Sequence, residues 1–162
     1  MGIIIAASGN EKRWSIKNYL EVINFLKEKN YKKFLIISGI DQSKEENLIK
    51  EKFKESTKII YTSDKKIKDI IPYLKQCKFC IGNDTGFAHL SVNLDIETMI
   101  IHGDCPPQSY SMLINHIDID SSLIRSPNSI HTIKAEKVLK ELSAFLKRRD
   151  GRVVEGARLE SV

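Results

Sequence analysis

The chain has 162 residues and a mass of 18.5 kDa; 41% of its residues are hydrophobic and 29% are charged, which suits one domain with a buried core rather than two full lobes. No apolar run approaches the ~20 residues that cross a bilayer, and we expect no signal peptide. Three cysteines are too few for a disulfide framework and favour a cytoplasmic location, while a formal net charge of +5 suits an anionic partner without identifying it.

Strands and helices alternate in the hydrophobic pattern. Short apolar runs such as "GIIIAAS" predict buried parallel strands, and apolar residues spaced three or four apart predict amphipathic helices. The predicted strands are 2–8, 32–39, 57–62, 78–83, 97–103 and, less regularly, 116–120. The predicted helices are 15–30, 44–55, 65–77, 85–94 and 132–148.

This alternation predicts an α/β fold, a Rossmann-like doubly wound parallel sheet of five or six strands. Such sheets bind ligands in the crevice at the carboxyl ends of their strands. The residues just past each strand are therefore the first place to look for function.

The segment "CIGNDTGFAHLSVNL" carries the strongest functional signal. Gly82 and Gly86 would let the backbone turn sharply and let a ligand approach the amides closely. The free N–H groups at the start of the following helix, with the Thr85 hydroxyl, predict a site for a diphosphate, and His89 lies one turn further on where it would donate to a phosphate. The alternative is structural: Asp84 or Thr85 caps the helix and His89 is a core histidine.

A second loop, "SGNEKRW", follows the first strand and occupies the equivalent position in the crevice. Ser8 offers a hydroxyl group, and Lys12 offers a point charge suited to a diphosphate leaving group. The alternative is a solvated basic loop that Trp14 anchors to the core. The neighbouring "NDTG" turn favours the functional interpretation.

Other candidate motifs are weak. Cys77 and Cys80 form one C-x-x-C pair without a second pair, and we interpret them as small core residues. His102, His116 and His131 have no metal-ligand spacing, so we predict no metal site and no cofactor. Few aromatic residues are interleaved with the lysines, and we expect no nucleic-acid binding.

The composition changes near the C-terminus. Four of the six arginines lie in the last fifteen residues, whereas no isoleucine follows Ile133. The string "RDGRVVEGARLESV" resembles a bacterial serine tRNA gene read as protein; the alternative is a native basic tail. In either case the segment has no helical or strand periodicity, so we predict a domain over 1–147 and a disordered tail over 148–162.

The order of the motifs resembles that of the C-terminal half of family 9 glycosyltransferases, the lipopolysaccharide heptosyltransferases and their relatives. The resemblance covers about residues 2–145 and depends on "EKRW", "SG" after the next strand, "GNDTGFAHL", and an apolar strand followed by "HGDCPP". It implies one lobe of a GT-B fold, the lobe that binds a nucleoside-diphosphate sugar such as an ADP-heptose, without a metal.

The resemblance also implies roles for individual residues. Lys12 matches the family's contact to the sugar-nucleotide phosphates and would stabilise the leaving diphosphate, and Ser8 matches a hydroxyl residue of the same loop. The positions that match the turn holding the diphosphate are Asp84, Thr85, Gly86 and His89. The stretch from Asp64 to Lys66 falls where the family meets the base.

Family enzymes carry the acceptor site and the general base on an N-terminal lobe, which has no counterpart in this sequence. We therefore expect the chain to bind a nucleotide sugar but to be inactive alone, with a separate acceptor-binding lobe as its partner and at most peripheral membrane association. A lipopolysaccharide-type acceptor is implied by the family. The alternatives are a non-catalytic nucleotide-binding module and a truncated gene remnant.

Overall fold

The computed structural model describes the backbone of residues 1–53 and 58–159, with side chains through residue 149. Its strands are β1 (Gly2–Ile4), β2 (Lys33–Ile37), β3 (Lys58–Tyr61), β4 (Cys80–Asn83), β5 (Thr98–Ile101) and β6 (Ile114–Ile117). Its α-helices are α1 (Ile16–Glu28), α2 (Ser43–Lys52), α3 (Ile67–Leu74), α4 (Gly86–Asn93) and α5 (Ala135–Leu159).

The six strands form one sheet in the order β3-β2-β1-β4-β5-β6, and all neighbouring strands run parallel. The chain thus starts in the middle of the sheet, builds outward to β3, and then returns to add β4, β5 and β6 on the other side. This is the doubly wound Rossmann-like sheet that the alternating pattern predicted.

The strands are mainly apolar because both faces of the sheet are covered. Ile3 and Ile36 pack on one face with α1 and α5, whereas Ile4 and Ile37 pack on the other face with α3 and α4. Alternate side chains of a strand point to opposite faces, so a continuous apolar run supplies two cores. The apolar face of α1 contributes four buried residues to the first core: Tyr19, Val22, Ile23 and Leu26.

The sixth strand lies earlier than predicted, at Ile114–Ile117 rather than 116–120. Its register pairs Thr98 with Ile114 and Ile101 with Ile117, and both isoleucines are buried. The polar residues between these isoleucines interrupt the apolar run, and for this reason the sequence pattern placed the strand too late.

Helix α5 continues into the C-terminal segment. The backbone of α5 extends to Leu159, and the disorder of residues 148–162 stays a prediction. Arg148 donates to the side chain of Asn115 at 3.2 Å, and Arg149 pairs with Glu97 and lies over the ring of Phe145. The long apolar stem of an arginine can pack on an apolar surface while its guanidinium lies over an aromatic ring. Residues 160–162 lie outside the described residues, and the tRNA origin of the segment stays a prediction.

Within the described part of the chain, none of the helices combines the length and the apolar character that spanning a bilayer requires.

Gly82 is needed for the close approach of β1 and β4. A Cβ built at this position would overlap the backbone carbonyl of Ile4, whereas a Cβ built at Gly86 would meet no atom within 4 Å. Among the described glycines none has a positive φ, so neither Gly82 nor Gly86 serves here to adopt a left-handed backbone conformation. Gly82 lies within β4 and makes room for the neighbouring strand.

We predict that Gly82→Ala lowers the free energy of unfolding by about 1–3 kcal/mol, because the added methyl group must displace the backbone of β1. Gly86→Ala is the matched control and should change stability little, since the space beside it is open. Urea unfolding followed by circular dichroism measures both variants. Equal stability of the two would contradict this account of the strand packing.

Candidate functional site

The side chain of Asn83, the last residue of β4, joins the loop after β1 to β4. It is fully buried, and its Oδ1 accepts hydrogen bonds from the backbone N–H of Trp14 at 3.1 Å and the hydroxyl of Tyr19 at 2.9 Å. Its Nδ2 donates to the carbonyl oxygens of Ile5 at 2.9 Å and Ala6 at 3.3 Å. Four bonds from one amide therefore fix where the loop after β1 sits relative to the start of α4. Asn83 lies in the "GNDTG" motif, but the sequence pattern alone does not indicate this role.

A cavity of about 610 Å³ lies at the carboxyl edge of the sheet between these two segments. Its volume is within the range of about 300–1,000 Å³ typical of ligand sites. The wall includes four of the sequence-predicted site residues, namely Ser8, Thr85, Gly86 and His89. It also includes residues from the loop after β2 and from α3 and α4: Gly39, Gln42, Ile67, Phe87, Leu90 and Asn93.

Thr85 and Gly86 place an open helix end in this cavity. Thr85 is the N-cap residue of α4, and its backbone carbonyl accepts from the N–H groups of Ala88 and His89. Its Oγ1 is buried and has no hydrogen-bond partner among the described residues, so it does not cap the helix. A buried hydroxyl without a partner is rare, and here it lies beside backbone N–H groups that the helix itself leaves free.

Lys12 reaches across the end of β4 rather than lining the cavity. Its Nζ lies 3.3 Å from Oδ2 of Asp104, in the loop that follows β5. This pair links the loops after β1 and β5, the two strands that flank β4 in the sheet. The hydrogen bond to Asp104 and the charge of that carboxylate raise the pKa of Lys12 above its ordinary value, so its ammonium group is charged at neutral pH.

Asp84 lies between two imidazole rings. Its Oδ1 is 3.0 Å from Nε2 of His89, and its Oδ2 is 3.2 Å from Nδ1 of His102. The bond from His102 is the main reason that the pKa of Asp84 is held below its ordinary value, with His89 adding to the effect. Asp84 is therefore an ionised acceptor in this structure and does not cap α4.

The other nitrogen of His89 is also engaged. Its Nδ1 lies 2.6 Å from the hydroxyl of Tyr110, whose ring is exposed. Because both nitrogens of His89 have partners, donation to a phosphate would require Tyr110 to move. The sequence pattern predicts His89 at the site but neither of its partners.

A further pair of imidazoles continues behind Asp84. Nε2 of the buried His102 lies 2.9 Å from Nδ1 of His116, and Nε2 of His116 lies 2.9 Å from Oγ of Ser109. Sequence reasoning treated these histidines as scattered because fourteen positions separate them. They meet because β5 and β6 are adjacent in register, with Ile101 opposite Ile117.

Comparison with family models matches residues 1–141 to "Glycosyltransferase family 9 (heptosyltransferase)". The chain belongs to glycosyltransferase family 9. Comparison with curated proteins gives no match.

Solved structures of this glycosyltransferase family share the fold at low sequence identity. E. coli ADP-heptose lipopolysaccharide heptosyltransferase II has a TM-score of 0.76 at 20% identity, over 92% of this chain and 46% of that chain. E. coli heptosyltransferase WaaC, solved with ADP, has a TM-score of 0.69 at 17% identity, over 90% and 44%. A family 9 glycosyltransferase from Veillonella parvula has a TM-score of 0.70 at 17% identity, over 91% and 46%. The chain thus spans less than half the length of these proteins.

We predict that the family 9 chain loses stability in acid through Asp84. Because the folded-state pKa of Asp84 is lowered, its contribution to stability is present above the unfolded value of about 3.9 and is lost as the pH falls through the folded value. Asp84→Asn should lose less unfolding free energy than the wild type between about pH 5 and pH 3. Urea unfolding at several pH values measures this.

The exposed carboxylate of Glu21 in α1 provides the control for this titration. Glu21→Gln should retain the pH profile of the wild type. An Asp84→Asn profile that coincides with that of the wild type would show that Asp84 does not stabilise the fold as the structure suggests.

Proposed function

We propose that this family 9 chain is the donor-binding lobe of a heptosyltransferase-like glycosyltransferase, binding a nucleoside-diphosphate sugar in the cavity at the carboxyl edge of the sheet. The observation that carries the proposal is the buried, unpartnered hydroxyl of Thr85 beside the free amides that open α4. Membership of the family supports the same class of ligand, as does the solved structure of a relative with ADP.

The diphosphate would lie against the start of α4. The backbone N–H groups of Gly86 and Phe87 have no intrahelical acceptor, and the positive end of the helix dipole favours an anion there. Gly86 leaves the approach open, since no atom lies within 4 Å of where a Cβ would be. The hydroxyls of Thr85 and, from the opposite loop, Ser8 complete a set of neutral donors.

The nucleoside would occupy the apolar side of the cavity. Ala6, Ile67 and Leu90 line that side, and Ile67 is 60% exposed although it is a large apolar residue. A nucleobase covering Ile67 would remove this surface from water. Ile67 directly follows the stretch from Asp64 to Lys66 that the resemblance assigned to the base, which agrees with this placement.

Lys12 would stabilise the leaving group. When the glycosidic bond forms, the bond between the sugar and the diphosphate breaks and negative charge grows on the departing phosphate oxygen. An ammonium group held across the end of β4 would offset that charge, which is the same strategy as an oxyanion hole. Asp104 keeps Lys12 in place in the absence of ligand.

Transfer also requires an acceptor hydroxyl and a base that removes its proton. We propose that a second lobe supplies both, because the heptosyltransferases that share this fold are more than twice as long as the matched region. The acceptor would be of the lipopolysaccharide type, and membrane association would be at most peripheral. The cysteines of the described chain, Cys77, Cys80 and Cys105, are all free, which suits a cytoplasmic location.

We predict that Thr85→Ala and Lys12→Ala each weaken the binding of ADP by about 1–3 kcal/mol, the size of a lost hydrogen bond to a charged group. Isothermal titration calorimetry on the full chain measures the affinity. Thr85→Ser should bind like the wild type because it keeps the hydroxyl. Lys17→Ala is the matched control for charge, since Lys17 is an exposed lysine on α1. Unchanged affinity in both site variants would remove the proposed diphosphate site.

We also predict that the 162-residue chain binds ADP-heptose but does not transfer the sugar. The structural reason is that the cavity provides donors for the diphosphate but no carboxylate among its lining residues to act as the base. Release of ADP in the presence of a lipopolysaccharide-core acceptor measures turnover. Turnover by the chain alone would show that the second lobe is not required.

A further inference from the structure

Six side chains form one continuous hydrogen-bonded chain beside the diphosphate turn. They come from the start of α4, the end of β5, the loop before β6, and β6 itself. In order they are Tyr110, His89, Asp84, His102, His116 and Ser109. Only His89 of these lines the cavity, so the rest of the chain lies behind it.

One arrangement of hydrogens satisfies all five bonds with every imidazole neutral. On one side, the hydroxyl of Tyr110 donates to Nδ1 of His89, and Nε2–H of His89 donates to Asp84. On the other side, Ser109 donates to Nε2 of His116, Nδ1–H of His116 donates to Nε2 of His102, and Nδ1–H of His102 donates to Asp84. The carboxylate of Asp84 accepts a hydrogen bond from each side. His89 must therefore carry its proton on Nε2 and His102 must carry its proton on Nδ1.

The bond between His102 and His116 limits how much charge this pair can hold. Two imidazole nitrogens 2.9 Å apart need one donor and one acceptor, so the pair takes up at most one extra proton while the bond is intact. That proton can enter at Nε2 of His116, where the Ser109 hydroxyl would turn to accept. No side chain has to move for the pair to become a cation.

The hydrogen bonds of the pair are all satisfied with both imidazoles neutral. Burial and the neighbouring His102 lower the pKa of His116, outweighing the opposite effects of Asp118 and Asp84. Asp118 is held by Arg125, and Asp104 in the loop after β5 is held by Lys12. Asp84 is therefore the charge that faces His102 directly.

An ionised Asp84 is unfavourable for anion binding at the adjacent turn. It precedes Thr85 and Gly86, so a bound diphosphate would place further negative charge close to this carboxylate. At an effective dielectric of about 20, like charges a few ångströms apart repel by several kcal/mol. A proton on the pair behind Asp84 would cancel its charge without altering the bonds that position His89.

We infer that His102 and His116 form a proton-accepting pair that couples the binding of a nucleoside-diphosphate ester at this turn to the uptake of one proton. The inference rests on the proposed function and adds to it a dependence on pH. Affinity should then fall as the pH rises, by up to about tenfold per pH unit where the bound protein holds the proton and the free protein does not.

The test is calorimetric titration of the full chain with ADP-glucose between about pH 6 and pH 8, in buffers of different ionisation enthalpy. ADP-glucose is a diphosphate diester with no phosphate group that titrates near neutral pH, so any proton taken up goes to the protein. We expect tighter binding at lower pH, and a dependence of the observed enthalpy on the buffer that corresponds to about one proton.

Two variants locate the proton. His102→Asn keeps an N–H donor for Asp84 but cannot titrate, and His116→Phe keeps a ring at a half-buried position without nitrogens. Both should bind ADP-glucose with little pH dependence and with uptake close to zero. His131→Phe is the control, because His131 is an exposed histidine outside the chain of bonds; this variant should take up the proton as the wild type does.

The possible failures are distinguishable. Binding by the wild type with constant affinity and no proton uptake overturns the inference and leaves the proposed function standing. Uptake that persists in both His102→Asn and His116→Phe also overturns it, because the acceptor would then lie outside the pair. Absence of ADP-glucose binding at every pH overturns both.

Without any ligand, ¹⁵N NMR of the imidazoles should show His102 as the Nδ1–H tautomer. The Nε2–H tautomer of His102 would contradict the proposed chain of hydrogen bonds.

Discussion

The buried amide of Asn83 is the constraint on which the candidate site depends. Its two acceptor and two donor bonds tie the loop after β1 to the point where β4 becomes α4. Leaving any of these buried groups without a partner would cost about 1–3 kcal/mol, so the two segments cannot separate cheaply. The cavity between them is consequently a fixed feature of the fold.

The polar groups around the cavity are of two kinds, neutral donors and charged groups. Thr85 and the first residues of α4 line the cavity and carry neutral donors, and the Thr85 hydroxyl has no partner among the described residues. Lys12 and Asp84 are charged, and each is already held by a partner of the opposite charge or by imidazole N–H groups. Neutral donors are thus available for binding at once, whereas the charged groups must exchange partners when a ligand arrives.

Much of this was predictable from the sequence, for identifiable physical reasons. Continuous apolar runs predict strands covered on both faces, and they gave the sheet correctly. The strand–turn–helix segment placed Thr85, Gly86 and His89 together because they are close in sequence. His102, His116 and Tyr110 were missed because only the register of β5 and β6 and the loop between them bring them to Asp84.

The most direct test of the central claim is to map ADP onto the backbone amides by ¹H–¹⁵N NMR titration of the labelled chain. We expect saturable shifts that are largest at Ser8 and from Thr85 to His89, the residues at which the two loops face each other across the cavity. Shifts that centre on the opposite edge of the sheet, or that do not saturate, would contradict the account.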